Sequence, residues 1–305
     1  MEPLTVNEQA FVLAALRAHD QRLDGRRPFD YRSLRVQLGD TPGNCELALG
    51  DSLVLAHVSA TQDPPYPDRP HEGFVKFNVD FLPMAHPNFE EVLGYDSLKA
   101  KRVGNPVSRE IERVLEKVVK KAKALNPESL CIQAGKLVWK VCVDLHILSH
   151  KGNLVDACML AAVLALLHFK IPVTKIMPNR EVQTLALTKA LSVHFLPICV
   201  TFGFLDAGNM VLLDPTLKEE SLLDGKIIVC MNIYGDILTL QKTGGACVGT
   251  DILLKCLEVA KIKAKDLTEA VREALHRDKA KKTTRSSKEE AANATAAERL
   301  ISGFK

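Results

Sequence analysis

The chain has 305 residues, of which 47% are hydrophobic and 25% are charged, the balance of a globular protein with a continuous core. Forty basic and 37 acidic residues leave a net charge of only +3, which excludes a protein that coats nucleic acid through its overall charge. Any contact with RNA must therefore depend on basic residues that are gathered locally.

The eight cysteines are scattered and include no CxxC pair, which argues against a disulfide framework and against a zinc knuckle. The N-terminal segment lacks the apolar core of a signal peptide. The longest apolar stretch, residues 157–167, is about half of the roughly 20 residues that span a bilayer. We therefore expect an intracellular protein with reduced thiols and no membrane contact.

The first half of the chain predicts a helix followed by an antiparallel meander. Residues 5–18 have helical spacing, and residues 34–62 alternate between apolar and polar with a period of two. The proline-rich residues 61–71 predict a surface loop, and residues 74–82 predict a further strand.

The middle of the chain predicts two helices that flank a strand region. Apolar residues recur at intervals of three and four from Pro106 to Ala122, which is typical of a helix with one buried face. Residues 130–147 predict strands interrupted at Gly135, and residues 153–169 predict a helix buried on most sides.

The second half predicts more strands and a long final helix at residues 250–275. The predicted strands comprise residues 197–204, 211–213, 227–232 and 237–240. After His276 the chain is polar, which is typical of a mobile or partner-bound tail. The order of elements predicts an α+β fold with two related halves. The expected boundaries are 1–30 for an N-terminal helix and its following segment, 31–170 and 171–276 for the halves, and 277–305 for the tail.

Several segments, taken together and in order, resemble RNase PH-type proteins, and in particular the non-catalytic branch of RNA exosome ring subunits. The resemblance extends over about residues 8–275. The segments that carry it are Arg22-Leu-Asp-Gly-Arg26, residues 128–139, 143–148, 152–157 and 197–202, and Asp214-Pro215 with the acidic run that follows. The resemblance implies the RNase PH fold, with two βαβ-type halves around one core, as part of a six-membered ring.

Active members of this family carry a Gly-Gly-Thr-Arg-Thr-like run where the buried helix begins, and this run binds phosphate. The chain has Lys151-Gly-Asn-Leu-Val-Asp-Ala157 there instead. Leu154 and Val155 offer no hydrogen bonds, and Asp156 is expected to repel phosphate. The resemblance therefore implies a subunit without catalytic activity, which supports RNA processing and degradation while associated nucleases do the cutting.

The alternative function is a phosphate-dependent 3'-to-5' exoribonuclease. Active relatives have two aspartates six residues apart in the second half, and this chain retains carboxylates there in Asp214 and Glu220. Asp214 also fits a plain turn or cap residue before Pro215. The sequence leaves open whether the pair has any residual function.

Three basic residues on the predicted central helix, Arg113, Lys117 and Lys120, are the candidate RNA-binding residues. They are spaced at i, i+4 and i+7, which places them on one stripe of an α-helix. In the resembling subunits, basic residues of this helix contact RNA phosphates. Spacing alone fits an ordinary solvated helix face equally well.

The resemblance also implies the partners and the location. Expected partners are RNA, other RNase PH-like ring subunits, RNA-binding cap subunits and associated exoribonucleases. The expected roles are rRNA processing and mRNA turnover in the nucleus, nucleolus and cytoplasm, and no cofactor or metal is expected. Arg22 and Arg26 predict a structural turn with an internal ion pair, with a subunit contact as the weaker alternative.

Overall fold

The computed structural model describes residues 5–19, 21–86, 106–176, 182–206, 210–245 and 247–302. The chain divides into two compact units, Met1–Thr268 and Glu269–Lys305. The first unit contains all three β-sheets of the described residues and nearly all of the predicted elements. None of the helices in the described ranges is both long and apolar enough to cross a bilayer.

The first sheet has six strands and confirms the predicted meander. After helix α1 (Val6–His19), the strands are β1 (Leu34–Leu38), β2 (Asn44–Leu49), β3 (Ser52–Asp63), β4 (Phe74–Phe81), β5 (Cys131–Gln133) and β6 (Leu137–Ser149). Their order is β1-β2-β3-β6-β4, with β5 paired to β6, and the β4–β6 pair is the parallel one among these described strands. Strand β3 extends three residues into the predicted loop, because Thr61, Gln62 and Asp63 pair with β6.

The second sheet confirms the four strands predicted for the second half. Its strands are β9 (Ile198–Leu205), β10 (Met210–Leu213), β11 (Gly225–Met231) and β12 (Ile237–Gly244), all antiparallel, in the order β10-β9-β11-β12. Every residue of β9 is buried, so this strand is covered on both faces.

A two-stranded hairpin was not predicted from the sequence. It consists of β7 (Lys170–Ile176) and β8 (Val182–Ala190), which pair only with each other among the described strands. Pro172 lies within β7, and a proline inside an apolar run argues against a strand in sequence patterns. The proline is tolerated because β7 is an edge strand.

Two helices pack on the first sheet. Helix α2 (Pro106–Glu116) packs on β4 and ends in a single π-helical turn, Lys117–Lys121. Helix α3 (Leu154–His168) packs against β2, β3 and β9, so it lies between the two sheets. Its nearly uninterrupted apolar sequence follows from this position, because all sides of the helix are buried.

A short helix α4 (Leu217–Glu220) follows β10, and helix α5 (Thr250–Ser302) ends the described chain. Helix α5 was predicted to end at residue 275. It instead continues through the polar segment that begins after His276 and makes up most of the second unit. This segment is rich in Ala, Lys, Arg and Glu, which have high helix propensity even where no apolar face is present.

Candidate functional site

The basic residues of helix α2 and its π turn lie on the surface, as predicted. Arg113, Lys117 and Lys120 are all exposed. The opposite side of the helix is buried through Ile111, Val114, Leu115, Val118 and Val119. The sequence therefore separates an apolar face, which holds the helix on the sheet, from a basic face that is open to a ligand.

The π turn changes the predicted stripe. The amide of Ala122 donates to the carbonyl of Lys117 at 3.2 Å, an i→i+5 hydrogen bond that widens the turn. Arg113 and Lys117 line a surface cavity of about 350 Å³ together with Arg109, whereas Lys120 lies outside that lining. The structure thus brings together two of the three candidate residues and adds Arg109, which sequence reasoning missed although it lies four residues before Arg113.

A second cavity, of about 310 Å³, lies at the first turn of helix α3, the position for which the sequence resemblance implies the phosphate site of active members. Leu154 and Val155 line it and are 4% and 7% exposed. Its lining also includes Glu220, Lys226 and His150. Among the described lining residues there is no arginine, and three of them are acidic.

The loop before this helix is tightly constrained by its neighbours. Gly152 has φ +98°, and a Cβ atom there would lie 2.4 Å from the amide nitrogen of Leu217. Asn153, which precedes the helix, has φ 50° in the left-handed region. The backbone is therefore held in a conformation that favours glycine and asparagine, and it packs directly on the start of α4.

The histidine in this cavity carries no positive charge at neutral pH. Burial, together with the nearby His86, lowers the pKa of His150 to about 4. Lys226 is the cation of the lining, and its Nζ atom lies 3.8 Å from Oε1 of Glu110. The cavity therefore offers an anion little positive charge that is not already balanced by a carboxylate.

Asp156 does not take part in this cavity. Its carboxylate is fully buried and accepts hydrogen bonds from the Thr201 amide at 3.0 Å and hydroxyl at 2.7 Å, the Asn153 side chain at 2.8 Å and the Tyr31 hydroxyl at 2.9 Å. Burial raises the pKa of Asp156 to about 6. The side chain therefore points to Thr201 and joins the helix to β9, and its expected repulsion of phosphate stays a prediction.

The two retained carboxylates, Asp214 and Glu220, have different environments. Arg32 binds Asp214 through Nε at 2.8 Å, through Nη2 at 2.8 Å and through its amide at 3.0 Å, and Asn153 donates to the same carboxylate at 2.6 Å. Burial alone would raise the pKa of Asp214, but the hydrogen bonds and charge of Arg32 lower it. Asp214 therefore forms a buried ion pair with Arg32, a different contact from the plain turn or cap that its position before Pro215 predicted.

Glu220 is the one of this pair that lines the cavity. Its Oε1 atom accepts a hydrogen bond from the Asn153 amide at 3.0 Å, and burial raises its pKa. The cavity therefore contains one carboxylate of the pair instead of two, and that carboxylate already accepts a backbone hydrogen bond.

The segment from Arg22 to Arg26 forms an internal contact. Arg22 is 4% exposed and binds Glu219, with Nε–Oε1 at 2.8 Å, as well as the carbonyls of Leu213 at 2.6 Å and Asp214 at 2.8 Å. Arg26 pairs with Asp24 at 3.1 Å, which confirms the predicted internal ion pair. Glu219 was missed, because no local pattern links residues 197 positions apart.

Family comparison agrees with this geometry. Residues 30–172 match the first domain and residues 196–263 the second domain of the 3' exoribonuclease family, RNase PH type. The chain is 36% identical over 281 residues to the "Exosome complex component RRP45" of Danio rerio, covering 91% of this chain and 68% of that protein. It is 39% identical to "Exosome complex component RRP45A" of Arabidopsis thaliana, covering 89% of this chain and 87% of that protein.

The relatives differ in length, and the chain spans 61% of the corresponding Homo sapiens protein at 36% identity. Among solved structures, a chain of an Archaeoglobus fulgidus exosome with RNA bound to the active site superposes with a TM-score of 0.73 at 30% identity, covering 87% of this chain and 97% of that chain. A chain of an archaeal exosome core gives 0.71 at 27% identity, covering 87% and 96%. The predicted RNase PH fold and the resemblance to exosome ring subunits are confirmed.

Proposed function

The chain belongs to the RNase PH-type 3' exoribonuclease family, and we propose that it is a subunit of an RNA exosome ring that contacts RNA without cleaving it. Its partners are other RNase PH-like ring subunits, with RNA-binding cap subunits and associated exoribonucleases completing the assembly. Its roles are rRNA maturation and mRNA turnover, in the nucleus, the nucleolus and the cytoplasm. The names of its relatives as exosome components support the ring assignment.

The absence of catalysis is supported above all by the cavity at the start of helix α3. Phosphorolysis requires an anion pocket with hydrogen-bond donors and positive charge, and a helix N-terminus usually supplies part of both. Here Leu154 and Val155 occupy the first turn, and His150 is neutral. The charged residues of the lining are Glu110, Glu220, Asp224 and Lys226, and Lys226 faces Glu110. Inorganic phosphate would lose hydration on entering this cavity and gain few compensating contacts.

RNA contact is supported by the neighbouring basic cavity on α2, which shares Glu110 with the cavity at the start of α3. Arg109, Arg113 and Lys117 are spaced four residues apart and line the same surface depression. Two of the three carry guanidinium groups, which bind phosphate oxygens in a bidentate manner. Such contacts fix the position of an RNA backbone and are insensitive to base sequence.

The proposal is tested by incubating the purified chain with inorganic phosphate and oligo(A) and measuring ADP release. We expect no release above background, because three of the four charged residues that line the cavity are acidic and the fourth, Lys226, faces Glu110. The matched control is Glu220→Gln, which removes the one carboxylate of the pair that lines the cavity. Release of ADP by the natural chain that disappears in this variant would overturn the proposal, since a contaminating nuclease would act equally in both samples.

A further inference from the structure

The second unit carries a strong local positive charge that the family match does not include. Residues 272–288 contain seven basic and two acidic residues, a net charge of +5. Because the whole chain carries +3, the rest of the molecule has a net charge of −2. The matched family domains end at residue 263, so this segment lies outside them.

The basic residues of this segment follow the helical repeat of α5. Arg277 and Lys281 are both exposed and lie four residues apart. In the sequence, Arg285 and Lys288 continue the series at further steps of four and three residues. These helix positions share one face, and four residues advance about 6 Å along the helix axis. These four positions therefore form a row that follows one face of the helix, whereas Arg272, Lys279 and Lys282 stand at positions on other faces.

The acidic residues of the segment do little to neutralise this row. Glu273 pairs with Arg277 at 3.2 Å, and both side chains are about 70% exposed. Asp278 pairs with Lys282 at 2.8 Å, on a different side of the helix from the row. A solvent-exposed pair contributes little free energy, so a phosphate group can replace Glu273 at low cost.

The composition of the segment indicates the kind of partner. Residues 276–288 contain no aliphatic residue larger than alanine and no Met, Phe, Trp or Tyr. A helix that binds a protein groove, or lies in a lipid surface, needs an apolar face, which is missing here. Interleaved hydroxyl residues, Thr283, Thr284, Ser286 and Ser287, are the type that donates to phosphate oxygens. These features fit the backbone of a polyanion.

We propose that the helix positions 277, 281, 285 and 288 of α5 form a second contact for the RNA backbone, separate from the basic cavity on α2. This inference rests on the proposed function, because RNA is the polyanion that an exosome subunit meets. The contact is independent of sequence and sensitive to salt.

The test compares two variants of the full chain that lose the same number of positive charges from the same helix. The first carries Arg277→Gln, Lys281→Gln, Arg285→Gln and Lys288→Gln, and the matched control carries Lys255→Gln, Lys261→Gln, Lys263→Gln and Lys265→Gln. Glutamine keeps the helix propensity near that of Lys and Arg. Binding of single-stranded RNA is measured at several salt concentrations.

The first variant is expected to raise the Kd for RNA by about tenfold at low salt and to lower the slope of log K against log salt by up to about 3, since each phosphate contact to a single strand contributes about 0.7. The control should change the Kd for RNA and the slope of log K against log salt by less than a factor of about two each. Equal effects of the two variants, or an unchanged slope in the first, would overturn the inference. Impaired nuclear entry with unchanged RNA affinity would also overturn it, because the row would then be a transport address. Phosphorolysis by the purified chain would overturn the proposed function alone.

Discussion

Two regions of the molecule use charged residues in opposite ways. Around Asp214 and Glu219, the charged groups are buried and paired, with Arg22 and Arg32 supplying the cations. On α2, Arg113 and Lys117 are exposed and border an open cavity. The buried ion pairs join segments about 190 residues apart in the sequence. The basic side chains of the exposed region are instead directed to the surface. The buried charges therefore hold distant segments of the chain together, while the charges on α2 lie at the surface.

Replacing Arg32 should give the largest effect, and it tests whether the buried region is structural. Arg32→Ala leaves Asp214 buried with its main cation removed, so we expect a loss of about 3–5 kcal/mol in the free energy of unfolding. Urea denaturation measures this loss. Arg35→Ala, three residues later on an exposed position of β1, is the control and should cost less than about 0.5 kcal/mol. A loss below about 1 kcal/mol in Arg32→Ala would mean that the ion pair does not hold the two segments together.

The same comparison shows which parts of the molecule a sequence can predict. The meander, α2, α3 and the second sheet follow from local periodicity, because each buries one face or all faces in a regular repeat. The hairpin β7–β8 lacks that repeat, since Pro172 and the lysines of β7 interrupt it. The partners of Arg22 and Arg32 also escape local reasoning, because only the folded chain brings Glu219 and Asp214 next to them.

The candidate site was predicted in part for the same reason. Leu154 and Val155 were found because their sequence position could be compared with the phosphate-binding run of relatives. The hydrogen bonds of Asp156 to Thr201 could not be predicted, since Thr201 comes from a distant strand. The π turn after Glu116 has no signature in the sequence, so the placement of Lys120 could not be foreseen.

Asp156 should make the stability of the buried region depend on pH. Its pKa is raised from 3.8 to about 6 by burial, so the folded state holds a proton more tightly than the unfolded state. The stability that this group contributes is fully present below pH 3.8 and is lost as the pH rises through 6. Asp156→Asn removes this dependence as well as some hydrogen bonds. Its destabilisation, measured by urea denaturation, should therefore be larger at pH 5 than at pH 7.5, by on the order of 1 kcal/mol.

The control for this measurement is Asp206→Asn, at a half-exposed carboxylate that pairs with Arg17 on the surface. Its effect on stability should be small and nearly the same at both pH values. A destabilisation by Asp156→Asn that grows from pH 5 to pH 7.5 would contradict a raised pKa, and would place Asp156 with Asp214, whose pKa is lowered.

Substitutions in the exposed region on α2 should change RNA binding and leave the free energy of unfolding nearly unchanged. Their effects should be the smallest of those predicted. Replacing Arg113, Lys117 and Lys120 together by alanine should lower the slope of log K against log salt by up to about 2 without changing stability by more than about 0.5 kcal/mol. Within this set, Arg113→Ala should weaken RNA binding about threefold to tenfold, and Lys120→Ala less than about twofold, because Arg113 lines the basic cavity and Lys120 does not. Arg35, Lys136 and Lys218, replaced together by alanine, provide an exposed control with equal charge loss. Equal losses from Arg113→Ala and Lys120→Ala would show that general surface charge, rather than the cavity formed by Arg109, Arg113 and Lys117, binds the RNA.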